Sequence, residues 1–350
     1  MIYFMFLNIF IVFGLLTTCL KRQSEVTILS FIVLFAVSVF LGFRDVDVGQ
    51  DTVNYLYIFH AADSATDTVD VGFLFFVKAV RVFVSSGTAY LVVQAFVTNA
   101  IIYMSYRAAV GKFALYAMAL LACTHVFWMV HILVIRNGMA AALLLAAIVA
   151  LLKSRRLMFA VLGCASISTH FVSALPAAAA YAGFTLSQRK FKLKALLGTS
   201  VVALLVLGLL YVARDSIQES LFVFYQKFDD NVMRGDLGAM KESAFGFQYI
   251  PAIGIVLLTF FSWKSLDAFS RRLFYIYLVL VSVSMLFWWN ILFRDRLFLF
   301  AQLFEPLILV NCMLRLQKVG VGKMVLASIF YLWSVGVIFV WGPANILTHY

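Results

Sequence analysis

Residues 2–20 read IYFMFLNIFIVFGLLTTCL, a stretch without a single charged side chain. A helix needs about 20 apolar residues to cross the hydrocarbon core of a bilayer. Similar runs recur along the whole chain, in which 64% of the 350 residues are hydrophobic and only 12% are charged. Soluble domains carry about 25% charged residues, and disorder requires low hydrophobicity. The composition therefore predicts a polytopic membrane protein.

Most of the apolar runs are long enough for a full membrane span. Residues 71–87 carry Lys78 and Arg81 mid-run, which favours an amphipathic or re-entrant helix near the outer surface. Residues 157–184 are too long for one span, so we expect two short helices that rise and return. The fold class is an all-α bundle of about 10–13 transmembrane or re-entrant helices, one integral membrane domain over residues 1–350. Full spans are predicted at 2–20, 25–42, 88–106, 113–131, 138–152, 195–213, 247–263, 273–293, 296–314 and 324–342.

The charged residues predict how the bundle is oriented. Lys21 and Arg22 follow the first apolar run instead of preceding it, so the run is no signal peptide and its N-terminus is expected outside. The cytoplasmic loops then hold most of the 27 Lys and Arg residues but only two acids, Glu25 and Asp267. This clustering accounts for the net charge of +11 without nucleic acid. Two long polar stretches, 43–70 and 214–246, become outer-face loops.

Charged residues on the outer side run against this pattern, and such exceptions are where function is expected. The segment FRDVDVGQDTVNY, residues 43–55, follows the second span. One of its carboxylates could act as a general base toward a sugar hydroxyl, and Arg44 could hold a phosphate or neutralise the carboxylates. The alternative is a solvated loop whose charges pair with one another.

Two further sites interrupt apolar runs. Arg136 and Asn137 separate runs 113–131 and 138–152, where an outer-face arginine suits an anionic ligand; interfacial snorkelling is the alternative. His170 lies at the apex of the predicted hairpin 157–184 and could reach the outer half of the bilayer. A hydrogen-bonded core histidine is the alternative there.

The fourth exception is Arg294-Asp295-Arg296, expected in a tight outer turn between two spans. Together with Arg44 and Arg136, these arginines could hold the pyrophosphate of a lipid-linked substrate beside apolar walls for the lipid. Headgroup contact and pairing with Asp295 is the alternative. No phosphate loop, zinc-protease motif or nucleophile elbow occurs in the sequence. The substrate must therefore arrive already activated at the membrane.

At these same segments the chain resembles the EpsG/Wzy-type polysaccharide polymerases. The best match is R-x(4)-G-x-D-T-x-x-Y from Arg44 to Tyr55. Further matches are Arg136-Asn137 before a helix of small residues, the segment 170–174, and the late Arg294 and Arg296. Asp45 and Asp47 add charge to the first motif, which departs from the family pattern.

The resemblance implies a glycosyltransferase of the GT-C type in the bacterial cytoplasmic membrane. It would join undecaprenyl-pyrophosphate-linked oligosaccharides outside the membrane, for O-antigen or exopolysaccharide, without a cofactor, metal or nucleotide sugar. A flippase, a chain-length regulator and membrane lipids are the expected partners. The roles are assigned as follows: Asp51 or His170 as general base, Arg44, Arg136, Arg294 and Arg296 for the pyrophosphate, and Tyr55 and Asn137 for positioning sugar.

Three other functions remain open from the sequence. An O-antigen ligase would use the same substrates but transfer finished polymer. A flippase or transporter for lipid-linked sugar would be expected to carry charge along a path through many spans, whereas these arginines cluster at the outer ends. A non-catalytic assembly subunit would show no activity as an isolated chain.

Overall fold

The structure, a computed structural model, describes residues 2–20, 22–46, 48–49, 51–63, 69–188, 212, 249–287 and 291–316. All regular secondary structure in these ranges is helical, which confirms the all-α class. Five helical segments in these ranges are long and apolar enough to cross a membrane: Gln23–Gly42, Gly87–Ala122, Ile135–Leu152, Ala268–Met285 and Phe293–Leu316. The protein is therefore a polytopic membrane protein.

Fourteen α-helices are numbered here in chain order within the described residues. They are α1 Ile2–Cys19, α2 Gln23–Gly42, α3 Thr52–His60, α4 Val71–Arg81, α5 Gly87–Val110, α6 Ala114–Ala122, α7 His125–Trp128, α8 Ile135–Leu152, α9 Arg156–Thr169, α10 Ala174–Ser187, α11 Tyr249–Ser262, α12 Ala268–Met285, α13 Ile291–Gln302 and α14 Glu305–Leu316.

Helix α8 lies at the centre of the bundle. It packs against α5, α9 and α13, and its small side chains let these neighbours approach closely. The hydroxyl of Ser166 in α9 donates to the backbone carbonyl of Ala140 in α8 (2.7 Å), which fixes the height of α9. Helix α10 packs mainly against α12 and only slightly against α9. Helices α9 and α10 therefore diverge from the apex that connects them.

Several predicted spans are interrupted. Run 113–131 contains α6, α7 and a π-helical turn, Met129–Leu133, which leads into α8. Run 296–314 breaks between α13 and α14, where the hydroxyl of Tyr106 donates to the carbonyl of Leu303 (2.7 Å). At the start of α14, the carboxylate of Glu305 accepts from the hydroxyl of Tyr277 (3.1 Å). The Tyr106 hydroxyl thus gives a buried backbone carbonyl at the break a partner, and Tyr277 does the same for the buried side chain of Glu305.

The structure contradicts one sequence-based expectation and adds detail to others. Arg294-Asp295-Arg296 does not form a tight turn but lies inside α13, because α12 already ends at Met285. The predicted outer loop 43–70 contains a short helix, α3. The two expected helices in 157–184 and the helix in 71–87 are present. Run 138–152 begins earlier, at Ile135. The predicted spans 195–213 and 324–342, the loop 214–246 and Asp47 fall outside the described residues, apart from position 212.

Candidate active site

Asp70 stands immediately before α4, at the point where this helix meets the end of α9. The close approach requires a glycine, because a Cβ at Gly72 would collide with the backbone and side chain of Ser168. The α4–α9 contact brings the Asp70 carboxylate to the hairpin apex. There its Oδ1 accepts a hydrogen bond from the backbone N–H of Phe171 (3.3 Å).

His170 occupies the apex, between α9 and a short 3₁₀ turn, Phe171–Ser173. Its backbone is extended, with φ −156° and ψ 111°, which ends α9 and turns the imidazole toward α4. The Nδ1 atom of His170 lies 3.2 Å from Oδ2 of Asp70. The apex thus joins two segments that are 100 residues apart in sequence.

Arg136 reaches the same carboxylate from the first turn of α8. Its Nη1 lies 3.5 Å from Oδ2 of Asp70, and all three side chains are largely buried. The backbone N–H of Arg136 also donates to the hydroxyl of Tyr55 in α3 (3.4 Å). A fixed cation, a carboxylate and an imidazole therefore meet where α3, α4, α8 and the α9 apex come together.

The electrostatics of this group follow from burial and from its charged neighbours. Burial raises the pKa of Asp70, but the hydrogen bond from His170, together with Arg136 and the Phe171 N–H, holds that pKa below its ordinary value. Burial lowers the pKa of His170, and Arg136 and Arg296 lower it further against the opposing effect of Asp70. At neutral pH, Asp70 is a carboxylate and His170 a neutral imidazole.

Arg44 secures the loop that carries the first motif. Its Nη1 donates to the carbonyls of Leu41 (3.0 Å) and His131 (3.1 Å), and its Nε donates to the hydroxyl of Thr52 (3.2 Å). The chain turns at Gly49, whose φ of +85° lies in the left-handed region that glycine adopts without strain. These contacts attach the loop to the π-helical turn before α8.

Asp51 precedes α3, and its backbone carbonyl accepts from the N–H of Tyr55 (3.0 Å). Burial raises the pKa of the Tyr55 hydroxyl, Arg136 opposes that shift and Asp51 adds to it. Asp51 therefore acts electrostatically on the Tyr55 side of the site. The carboxylate that contacts His170 is Asp70.

The late arginines lie on different faces of α13. Residues two apart in a helix are about 200° apart around its axis. Arg296 lies near enough to the site for its charge to act on His170, and its backbone carbonyl accepts from the side-chain amide of Asn137 (3.3 Å). Arg294 instead pairs with Asp295 (2.9 Å), as the alternative reading expected, and its guanidinium lies 5.4 Å from the ring centroid of Tyr249.

The amino-acid sequence matches a known protein family. The model of the EpsG family matches residues 27–347, nearly the whole chain. The chain belongs to the EpsG family. EpsG is a family of Wzy-type polymerases, so a polysaccharide polymerase-type, glycosyltransferase-like role follows at a general level. No curated protein and no solved structure gives a significant match.

In this EpsG protein, Asp70 belongs to the candidate site but was not predicted from the sequence. It ends a polar stretch and resembles an ordinary solvated acid, so charge and hydropathy alone gave no reason to choose it. The available signal was the pattern Asp70-Val71-Gly72, an acid and a glycine at the start of an amphipathic helix. Among the described residues, no cluster of three or more His, Cys, Asp or Glu side chains could hold a metal ion.

Proposed function

We propose that this chain is a polysaccharide polymerase that joins oligosaccharide repeat units carried on undecaprenyl pyrophosphate, at the outer face of the cytoplasmic membrane. The observation that carries the proposal is the meeting of Arg136 and His170 at the same oxygen of Asp70. It brings a cation suited to pyrophosphate and an imidazole suited to a hydroxyl proton into one site.

In the proposed reaction, His170 accepts the proton of a sugar hydroxyl on the acceptor. The hydroxyl oxygen forms a bond to the anomeric carbon of the donor sugar. The bond from that carbon to the pyrophosphate oxygen breaks, and the electron pair leaves with the lipid pyrophosphate. Arg136 and Arg296 stabilise the charge that develops on the leaving group. Arg44 and Arg294 anchor the surrounding loop and helix, and Tyr55 and Asn137 position sugar.

The surroundings of the site suit a lipid carrier. Val71 and Phe171 flank Asp70 and His170 in sequence, and both are exposed, as is Phe75 one turn further along α4. A polyprenyl chain could lie against this apolar surface while its pyrophosphate reaches Arg136. A substrate that arrives through the membrane already activated requires a reaction site beside the lipid.

The length of α8 supports the proposed orientation. The helix has 18 residues, so it spans about 27 Å at 1.5 Å per residue, close to the thickness of a bilayer core. Arg136 stands in its first turn, and the basic turn with Lys153, Arg155 and Arg156 follows its last residue. The positive-inside rule favours a cytoplasmic position for that basic turn, which supports a site at the outer face.

A genetic experiment tests the function. The gene is deleted from its host, and the strain is complemented with the wild type or with Arg136→Ala, with membrane levels matched by immunoblot. We expect the deletion strain and the variant to accumulate single lipid-linked repeat units, and the wild type to restore long polymer. Accumulation of long lipid-linked polymer would instead indicate a ligase. Repeat units retained on the cytoplasmic side would indicate a flippase.

A further inference from the structure

Both oxygens of the Asp70 carboxylate contact neighbouring groups at the hairpin apex. Its Oδ1 accepts from the Phe171 N–H, and its Oδ2 faces both His170 and Arg136. A side chain held by three groups on two other segments has little freedom to rotate. Asp70 therefore presents a fixed acceptor to the imidazole.

An ionised carboxylate can only accept hydrogen bonds. The Nδ1 atom of a neutral His170, at 3.2 Å from Oδ2, must therefore carry the ring proton. The second ring nitrogen, Nε2, then keeps its lone pair and is the only ring position able to take a proton. The partner of one histidine nitrogen commonly decides the chemistry of the other in this way.

Three charged groups on the elements around the apex act electrostatically on the His170 ring. Asp70 approaches from the start of α4 and favours the protonated imidazole, whereas Arg136 of α8 and Arg296 of α13 oppose it. Asp70 is the only acid among these three neighbours. Its replacement by a neutral side chain would leave two cations acting on the ring.

We propose that Asp70 is the positioning residue of the polymerase: it holds His170 with Nδ1 protonated and Nε2 directed as the proton acceptor for the sugar hydroxyl. This inference rests on the proposed function and names a residue that the family resemblance did not supply. Asp70 makes no contact with the reacting atoms. It acts through the tautomer, the orientation and the basicity of His170.

The test compares pH–rate profiles of the purified protein in liposomes. The substrate is the pool of lipid-linked repeat units extracted from the deletion strain. Asp70→Asn keeps the size of the side chain but removes its charge. We expect kcat to fall by about 10-fold or more, because a misoriented imidazole loses part of a general-base contribution of about 10²–10⁴-fold, with little change in KM. The acidic limb of the profile should move to lower pH by about 1 unit, because a neutral neighbour no longer favours protonated His170.

Asp63→Asn is the matched control. It removes a carboxylate from the same connector, where Asp63 is exposed and pairs with Arg81 (3.1 Å). We expect this variant to keep the wild-type profile. Asp70→Glu, which keeps the charge, should recover part of the activity and return the acidic limb toward its wild-type position.

A second measurement does not depend on turnover. ¹⁵N-histidine NMR of the protein in nanodiscs, with the His170 signal assigned by its loss in His170→Asn, reports the tautomer directly. We expect Nδ1–H in the wild type and a mixed population in Asp70→Ala. An unshifted profile in a folded Asp70→Asn variant, or Nε2–H in the wild type, would overturn the positioning role. Loss of activity in His170→Asn alongside either result would leave the proposed polymerase function standing.

Discussion

The Nδ1 atom of His170 lies 3.2 Å from Oδ2 of Asp70, although 100 residues separate them in the chain. This contact fastens the apex of a helical hairpin to the start of an amphipathic helix. Arg136 reaches the same oxygen from a third element, the central helix α8. Three separate elements thus meet at one carboxylate, and each can be altered independently.

Removal of the imidazole should remove the base. In His170→Ala we expect the polymerisation rate to fall by about 10²–10⁴-fold, the range typical of a lost general base. The measurement is polymer formed per unit of membrane protein, read from a gel of the polysaccharide. His60→Asn is the control, because His60 is exposed at the end of α3. Long chains of normal abundance from His170→Ala would reduce this residue to a packing role.

Replacement of Arg136, at the start of α8, should weaken substrate binding even when the new residue is lysine. Arg136→Lys keeps the charge but loses the planar fork that binds phosphate oxygens in pairs. We expect about a 10-fold or larger rise in KM for lipid-linked repeat units. Arg81→Lys alters an arginine–carboxylate pair at an exposed position and serves as the comparison. Equal kinetics for the two lysine variants would argue against pyrophosphate binding by Arg136.

The two arginines of α13 should separate into different phenotypes. Arg294 is 4% exposed and is held by Asp295 and Tyr249. Arg294→Ala should therefore lower thermal stability more, by about 1–3 kcal/mol in unfolding free energy. Arg296→Ala should lower activity per folded molecule more, because the charge of Arg296 acts on His170. Melting temperature in detergent and specific activity in liposomes give the two readouts. The reverse pattern would contradict the assignment of faces.

A pair of glycine variants tests the helix contact that assembles the site. A Cβ at Gly72 of α4 would collide with Ser168, whereas a Cβ at Gly163 of α9 meets nothing within 4 Å. Gly72→Ala should push α4 away from α9, lengthen the Asp70–His170 contact and reduce activity several-fold or more. Gly163→Ala should be tolerated and could add about 1 kcal/mol through helix propensity. The two variants carry the same substitution, so equal activities would place the assembly of the site elsewhere.

Much of the bundle was predictable because apolar length decides whether a helix can span a membrane. The runs at 25–42 and 88–106 became helices close to their predicted bounds, and the hairpin with His170 at its apex was expected. Breaks inside apolar runs were not expected. The chain interrupts run 113–131 near Cys123 and Thr124, and hydropathy does not record a backbone turn between two apolar helices.

The functional site was only partly predictable for a similar reason. Arg136 and His170 stood out because charge and polarity at depth are costly. Asp70 has no such signal in the sequence, because its role depends on contact with His170, which lies 100 residues away in the chain. The three adjacent charges of Arg294-Asp295-Arg296, between two apolar runs, predicted a turn. Inside α13, however, Arg294 is paired and packed on an aromatic ring, which makes a helical position acceptable.

Polymerisation by the isolated protein tests the proposed polymerase function most directly. The purified chain is reconstituted in liposomes and given lipid-linked repeat units from the deletion strain, without nucleotide sugars or other proteins. We expect a ladder of longer lipid-linked chains together with released undecaprenyl pyrophosphate from the wild type, and about 10²–10⁴-fold slower formation of both from His170→Ala. The absence of a ladder from the folded wild type would contradict the polymerase function. An equal ladder from His170→Ala would contradict the role of His170 as the base.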